Sequence, residues 1–88
     1  MKTDFSKLGA WLASSRHRSA LSQKELAKKM GYGSSQYVSN WERGKAAPAL
    51  KSARKLAKTL GVSAKELISG IFDARIAALQ AEKRAALR

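Results

Sequence analysis

Cysteine is absent from this 88-residue sequence, and histidine and proline occur once each. A chain without cysteine forms no disulfide framework, no thiolate metal site and no cysteine nucleophile. A lone histidine cannot complete a zinc cluster or a cysteine–histidine catalytic pair. We therefore expect no metal, no cofactor and no enzymatic activity.

Acidic residues are scarce too, since six Asp and Glu stand against eighteen Lys and Arg. The resulting net charge of +12 and pI near 10.7 favour an anionic partner, with nucleic acid ahead of an acidic membrane or protein. Residues 1–70 carry most of this excess, with fourteen basic and four acidic side chains. A merely solubilising surface is the plainer alternative.

Long hydrophobic runs are missing as well. No apolar stretch approaches the roughly 20 residues that a membrane-spanning helix needs. The N-terminal MKTDFSKL lacks the apolar core of a signal peptide. The sequence therefore predicts a cytoplasmic protein that is neither secreted nor membrane-bound.

Helical periodicity is the main feature that the sequence does contain. Apolar residues recur at three- and four-residue steps, and no segment shows the two-residue alternation of a strand. This predicts an all-α fold with helices over residues 4–17, 23–30, 35–43 and 47–60 and a further helical stretch from residue 64. Whether Gly70 interrupts that last stretch is left open. We expect a domain of residues 1–70 followed by a helical tail of residues 71–88.

Local signals mark the ends of these helices. Ser22-Gln23-Lys24-Glu25 and Ser63-Ala64-Lys65-Glu66 are capping-box sequences, in which serine and glutamate satisfy the first amides of a helix. Ser34 or Ser35 is placed to cap the third helix. Ala47-Pro48 is predicted to start the fourth, because proline suits a first turn. The glycines that follow predicted helices are Gly31, Gly33, Gly44 and Gly61.

Residues 22–43 combine two short helices joined by a tight, glycine-containing turn. In the second helix Val38 and Trp41 lie three residues apart and are predicted to face the core. The outward side then carries Ser35, Gln36 and Asn40. Serine and amide side chains such as these lower helix propensity, but they suit hydrogen bonds to base edges, while nearby Lys and Arg suit phosphates.

These motifs resemble those of the phage repressor and Cro-like helix-turn-helix proteins, also called the XRE family. The matching elements, in order over residues 5–69, are Leu8…Leu12…Arg16, LSQKELAKKMG at 21–31, YVSNWERGK at 37–45, Pro48, and LAKTLGVSAKEL at 56–67. The resemblance implies a five-helix, repressor-like DNA-binding domain with an additional C-terminal helical segment. It also assigns the recognition helix to residues 35–43.

The resemblance implies roles for individual residues. Base reading falls to Ser35, Gln36, Tyr37 and Asn40. Contacts with the DNA backbone fall to Gln23, Ser34, Ser39, Arg43 and Lys45, and Gln23 would also brace the recognition helix. Arg16 and Glu42 would form a partly buried structural ion pair. The turn at residues 31–34 is one residue longer than the family's commonest version, so the register of the base readers could shift by one.

The implied function is sequence-specific binding of a double-stranded DNA operator by a bacterial or phage-encoded, nucleoid-associated transcriptional regulator. We expect a repressor that acts by operator occupancy. A phage regulator, a restriction–modification controller and an antitoxin all fit. The antitoxin is the main alternative, because it would also bind a protein toxin. A nonspecific nucleoid protein is a third reading, which the polar recognition surface disfavours.

An apolar stripe lies beyond the resemblance. On a continuous helix, one side collects Ile68, Ile71, Phe72, Ile76 and Leu79, with Arg75, Glu82 and Lys83 intruding on it. The stripe either folds onto the domain's own core or meets a second copy across a two-fold axis. We favour a homodimer, because two half-sites about 34 Å apart need two recognition helices in fixed relation.

Overall fold

The computed structural model describes residues 5–88, which fold into five α-helices and one short 3₁₀ helix. Along the chain these are α1 (Ser6–Arg18), α2 (Gln23–Met30), α3 (Gln36–Glu42), the 3₁₀ helix (Leu50–Ser52), α4 (Ala53–Leu60) and α5 (Ala64–Ala86). The predicted all-α, five-helix fold is confirmed. The predicted helix start at Asp4 lies outside the described residues. Within them, no helix is both long and apolar enough to cross a membrane.

The two capping-box sequences behave differently. At α2 the box is complete, because the Ser22 hydroxyl accepts from the Glu25 amide and the Glu25 carboxylate accepts from the Ser22 amide, each at 2.9 Å. At α5 the Ser63 hydroxyl accepts from the Glu66 amide at 3.2 Å, but among the described residues Glu66 makes no return bond. The same sequence pattern therefore gives a full box at α2 and half a box at α5.

The turn before α3 uses Ser34 rather than Ser35. Ser35 occupies the N-cap position, but its side chain makes no capping hydrogen bond. The Ser34 hydroxyl accepts instead from the Gln36 amide at 3.3 Å. Gly31 ends α2 with φ of 82°, a left-handed conformation that glycine adopts without steric cost.

The prediction that Ala47-Pro48 begins a helix is wrong. Ala49 is extended, with φ −67° and ψ 139°, and helical structure begins only at Leu50. Pro48 is fully buried, and its carbonyl accepts from Arg75 Nη2 at 3.2 Å. This contact with α5 occupies the Pro48 carbonyl, and the chain becomes helical two residues later.

One face of each α-helix packs into the hydrophobic core. Val38 and Trp41 belong to it, as predicted from their spacing. α5 runs without a break through Gly70, so its first half contributes to the same core. The domain boundary predicted after residue 70 falls inside this helix and stays a prediction. The buried apolar residues are Leu8, Leu12, Leu26, Ala27, Met30, Val38, Trp41, Ala53, Leu56, Ala57, Leu60, Leu67, Ile71 and Ala74.

The apolar residues of α5 are divided between core and surface. Ile71 is fully buried and Ile68 is half-buried. The exposed fraction is 54% for Phe72, 38% for Ile76 and 63% for Leu79. These last three side chains do not fold back on the domain, and we call them the α5 stripe.

Candidate nucleic-acid interface

The inward side of α3 is anchored by aromatic packing. Val38 is fully buried and Trp41 nearly so. Tyr32, from the turn between α2 and α3, packs edge-on against Trp41 with ring centroids 5.8 Å apart, and against Tyr37 at 5.1 Å. Such ring pairs stabilise beyond the area they bury, so they hold the turn against α3.

A close approach between helices fixes α3 from another side. A Cβ atom at Gly9 of α1 would collide with the backbone carbonyl oxygens of Trp41 and Glu42. A glycine inside a helical pattern is a known sign of close packing, and this is the signal in the sequence that could have indicated the contact. Gly9 therefore sets how near α1 lies to the C-terminal end of α3.

A buried ion pair ties α1 to that same end of α3. Arg16 Nε donates to Glu42 Oε2 at 2.6 Å and Arg16 Nη2 donates to Glu42 Oε1 at 2.9 Å, with both side chains only 9% exposed. Arg16 Nη1 donates to the Leu21 carbonyl at 2.8 Å. Bidentate geometry is the strong form of a guanidinium–carboxylate contact. The structure thus brings together the two residues to which the resemblance assigned an ion pair.

The pair shifts the pKa values of both partners. Burial acts to raise the pKa of Glu42, but hydrogen bonds from Arg16 and Gln23, together with the charges of Arg16 and His17, outweigh it and hold the pKa below its usual value. The hydrogen bond to Glu42 raises the pKa of Arg16 against the opposing effect of burial. Both groups are therefore charged at neutral pH.

Gln23, at the start of α2, joins this network. Its Nε2 donates to Glu42 Oε1 at 3.0 Å. The bond links α2 to α3, which is the bracing arrangement that the resemblance implied. The predicted contact between Gln23 and a DNA phosphate stays a prediction.

The outward side of α3 carries the predicted base readers. Gln36 and Tyr37 are exposed, and Ser35 and Asn40 are half-buried. Gln36 Nε2 donates to Asn40 Oδ1 at 2.9 Å, a contact that residues one helical turn apart can make. Tyr37 keeps 60% of its surface exposed despite its contact with Tyr32. These side chains are therefore accessible to a ligand, and their roles in base reading stay predictions.

The predicted backbone contacts lie at both ends of α3. Ser34 precedes the helix, and Arg43 and Lys45 follow it. All three residues are exposed, whereas Ser39 is half-buried within the helix. These exposed side chains are accessible to a ligand, and their contacts with the DNA backbone stay predictions.

Two lysines of α2 extend this surface. No motif in the sequence assigns a role to Lys24 or Lys28. The structure places them in a shallow groove together with Tyr32, Ser34 and Ser35. Their four-residue spacing puts both on one side of α2, but only the folded chain brings that side next to the turn before α3.

Comparison with known proteins identifies this arrangement of two helices and a turn. Residues 16–67, more than half of the chain, match the family model HTH_3, described as helix-turn-helix. The chain belongs to the Cro/C1-type (XRE) helix-turn-helix family. The predicted resemblance is confirmed, and α2 and α3 are the two helices of the motif.

Similar solved structures include two regulators. The restriction-modification controller protein C.AhdI from Aeromonas hydrophila is 36% identical, over 73% of this chain and 91% of that chain, with a TM-score of 0.64. The clp gene regulator ClgR from Corynebacterium glutamicum is 25% identical, over 96% of this chain and 89% of that chain, with a TM-score of 0.65. Comparison with curated proteins gave no match.

Membership of the Cro/C1-type helix-turn-helix family makes the chain a DNA-binding transcriptional regulator and not an enzyme. The matched segment ends at Leu67, in the first turn of α5. The α5 stripe therefore lies outside the part of the chain that the family model describes.

Proposed function

We propose that the protein binds double-stranded DNA operators sequence-specifically and represses transcription by occupying them. The observation that carries this proposal is the division of α3 into two sides. Val38 and Trp41 fix its inward side in the core, while Gln36 and Asn40 present amides outward. Amide side chains are suited to reading base edges in the major groove.

We also propose that the protein acts as a homodimer through the α5 stripe. Phe72, Ile76 and Leu79 are 38–63% exposed, and an apolar surface of this kind on a small chain is suited to a partner. A two-fold axis would hold two recognition helices at a fixed separation, as two half-sites about 34 Å apart require.

Among the classes of regulator that fit, the comparisons favour a restriction–modification controller. The support is the 36% identity to C.AhdI, which extends over 91% of that chain. A gene for a methyltransferase or a restriction enzyme beside the gene for this protein would support this assignment. A toxin gene in that place would favour an antitoxin.

A selection of bound duplexes from random DNA tests the proposal directly. We expect enrichment of one operator, which should then outcompete random DNA by about 10³-fold or more in a gel-shift assay. Equal competition by operator and random DNA would contradict sequence-specific binding and favour a nonspecific nucleoid protein.

The salt dependence of binding tests the electrostatic part of the interface. With about 6 phosphates neutralised by a dimer, the slope of log affinity against log salt should be near −5. Lys45→Ala should weaken binding to all sequences about equally and make the slope shallower by about 1 for each phosphate that is no longer neutralised. Lys65→Ala, at an exposed position of α5, is the matched control and should change neither.

A further inference from the structure

Arg75 connects α5 with the loop of residues 43–49 that follows α3. Its Nη2 donates to the Pro48 carbonyl at 3.2 Å, across 27 residues of sequence. Pro48 is fully buried, and Ile71 and Ala74 fix the neighbouring positions of α5 in the core. Both ends of the contact are therefore firmly held, and the Arg75 guanidinium is directed towards that loop.

An open groove of about 460 Å³ lies between α3, this loop and α5. Two cationic residues line it, Lys51 from the 3₁₀ helix and Arg75 from α5. Tyr37 and Asn40, two of the predicted base readers, line it from α3. None of its lining residues, all of which belong to the described part of the chain, is acidic. The groove therefore offers positive charge next to the outward side of α3.

The contact with Pro48 leaves Arg75 able to bind an anion. A guanidinium group has five N–H donors, and the bond to the Pro48 carbonyl is the only hydrogen bond of this side chain within the described residues. Arg75 is exposed, so its other donors are accessible. A side chain that is already held in place loses less conformational freedom when it binds. The planar guanidinium fork also matches two oxygens of a phosphate group.

We propose that Arg75 binds a phosphate of the DNA backbone next to the base pairs that α3 faces. This rests on the proposed binding of double-stranded DNA and adds to it a contact from α5. Arg75 lies outside residues 16–67, the segment that the family model matches, so the helix-turn-helix motif assigns it no such role. Phe72 and Ile76 of the α5 stripe flank it along the helix, so its effects on dimerisation and on DNA binding must be measured separately.

Substitutions of Arg75 in the full-length protein test the contact. Arg75→Gln keeps a donor for the Pro48 carbonyl but loses the positive charge, so it should weaken binding to the selected operator and to random DNA by the same factor, at least about tenfold. The slope of log affinity against log salt should become shallower by about 1 for each bound subunit. Arg75→Lys keeps the charge and should keep the slope. Arg84→Gln, the same change at another exposed arginine of α5, is the matched control and should change neither affinity nor slope.

Neutral linkages in the operator locate the phosphate. Each backbone phosphate is replaced in turn by an uncharged methylphosphonate, and the affinities of wild type and Arg75→Gln are compared. Wild type should be weakened at every phosphate that it contacts, whereas Arg75→Gln should be insensitive at one of these in each half-site, because its partner group is already missing. That phosphate should border a base pair at which Asn40→Ala changes the preference, since Asn40 and Arg75 line the same groove.

Sedimentation and thermal melts separate this role from a structural one, because Arg75→Gln should dimerise and melt as the wild type does. Three results would overturn the proposal: an unchanged salt slope for Arg75→Gln, a methylphosphonate scan identical to that of wild type, or weaker dimerisation that accounts for the whole loss of affinity. A random DNA pool without enrichment would refute the proposed sequence-specific binding alone. The salt slope on random DNA would still decide whether Arg75 binds a phosphate.

Discussion

The two halves of α5 lie in different surroundings. Its first half contributes Leu67, Ile71 and Ala74 to the core, whereas between Arg75 and Arg88 no residue is buried. Both halves are helical, but the second half is rich in alanine and depends on helix propensity and on continuity with the first. One helix therefore serves two purposes: it completes the domain, and it extends an exposed apolar surface beyond it.

The carboxylates at the C-terminal end of α3 and in the second half of α5 differ in their hydrogen bonding. At the end of α3 a carboxylate is held by two other side chains, from Arg16 and Gln23. Along the second half of α5, the Glu82 side chain is exposed, with no partner among the described residues. Similar substitutions at the two places should thus have very different effects on stability.

The largest effect is expected from Glu42→Ala. Removing the carboxylate leaves the buried Arg16 guanidinium without its partner, which should lower the free energy of unfolding by roughly 3 kcal/mol or more. Glu82→Ala is the matched control and should change it by no more than about 0.5 kcal/mol. Chemical denaturation of both variants measures the difference. Equal stability of the two variants would mean that the ion pair does not hold α3 in place.

A smaller loss is expected from Gly9→Ala. The added Cβ collides with the Trp41 carbonyl, and because backbone must move to relieve it, the cost should be about 1–3 kcal/mol. Gly70→Ala is the control in α5, where the added Cβ meets only Leu8 Cδ1, at 3.5 Å. That variant should be more stable than wild type by about 0.5–1 kcal/mol, since alanine favours a helix interior. Thermal melts that move in the same direction for both variants would contradict this assignment.

Acidification should reduce the stability that Glu42 provides. Its pKa is lower in the folded protein than its ordinary value of 4.5, so the unfolded chain binds a proton more readily. The contribution is therefore complete above pH 4.5 and is lost as the pH falls through the folded pKa. The stability difference between wild type and Glu42→Gln should shrink as the pH falls below 4.5. Denaturation curves at neutral and acidic pH give this difference, and one that stays constant or grows would contradict it.

Features governed by neighbours in sequence could be predicted from the sequence. The capping box at Ser22 and the helix stop at Gly31 depend on contacts within a few residues, and the inward side of Val38 and Trp41 follows from their spacing on a helix. The start of α4 could not, because Pro48 is held by Arg75, which lies 27 residues away. At Pro48 the tertiary contact with Arg75 overrides the local preference of proline for the first turn of a helix.

The candidate site shows the same division. Its residue types and the helix that carries them followed from motif spacing. The hydrogen bonds that connect them did not, because a side chain such as Gln23 or Gln36 has several partners within reach. Only the packed arrangement selects Glu42 for the first and Asn40 for the second.

The smallest effect on stability, and a large effect on assembly, is expected from Leu79→Ser. Leu79 is 63% exposed in the single chain, so its replacement should change the free energy of unfolding of the monomer by no more than about 0.5 kcal/mol. If the α5 stripe is the dimer interface, the same change buries a hydroxyl group where a leucine side chain had been buried, and dimerisation should weaken by at least about tenfold. Leu87→Ser, which makes the same change at a residue that is 75% exposed nearer the chain end, is the control and should leave the dimer intact. Sedimentation at several protein concentrations separates the outcomes. A wild-type monomer, or a Leu79→Ser variant that dimerises as well as wild type, would place the interface elsewhere and leave the second half of α5 without a partner.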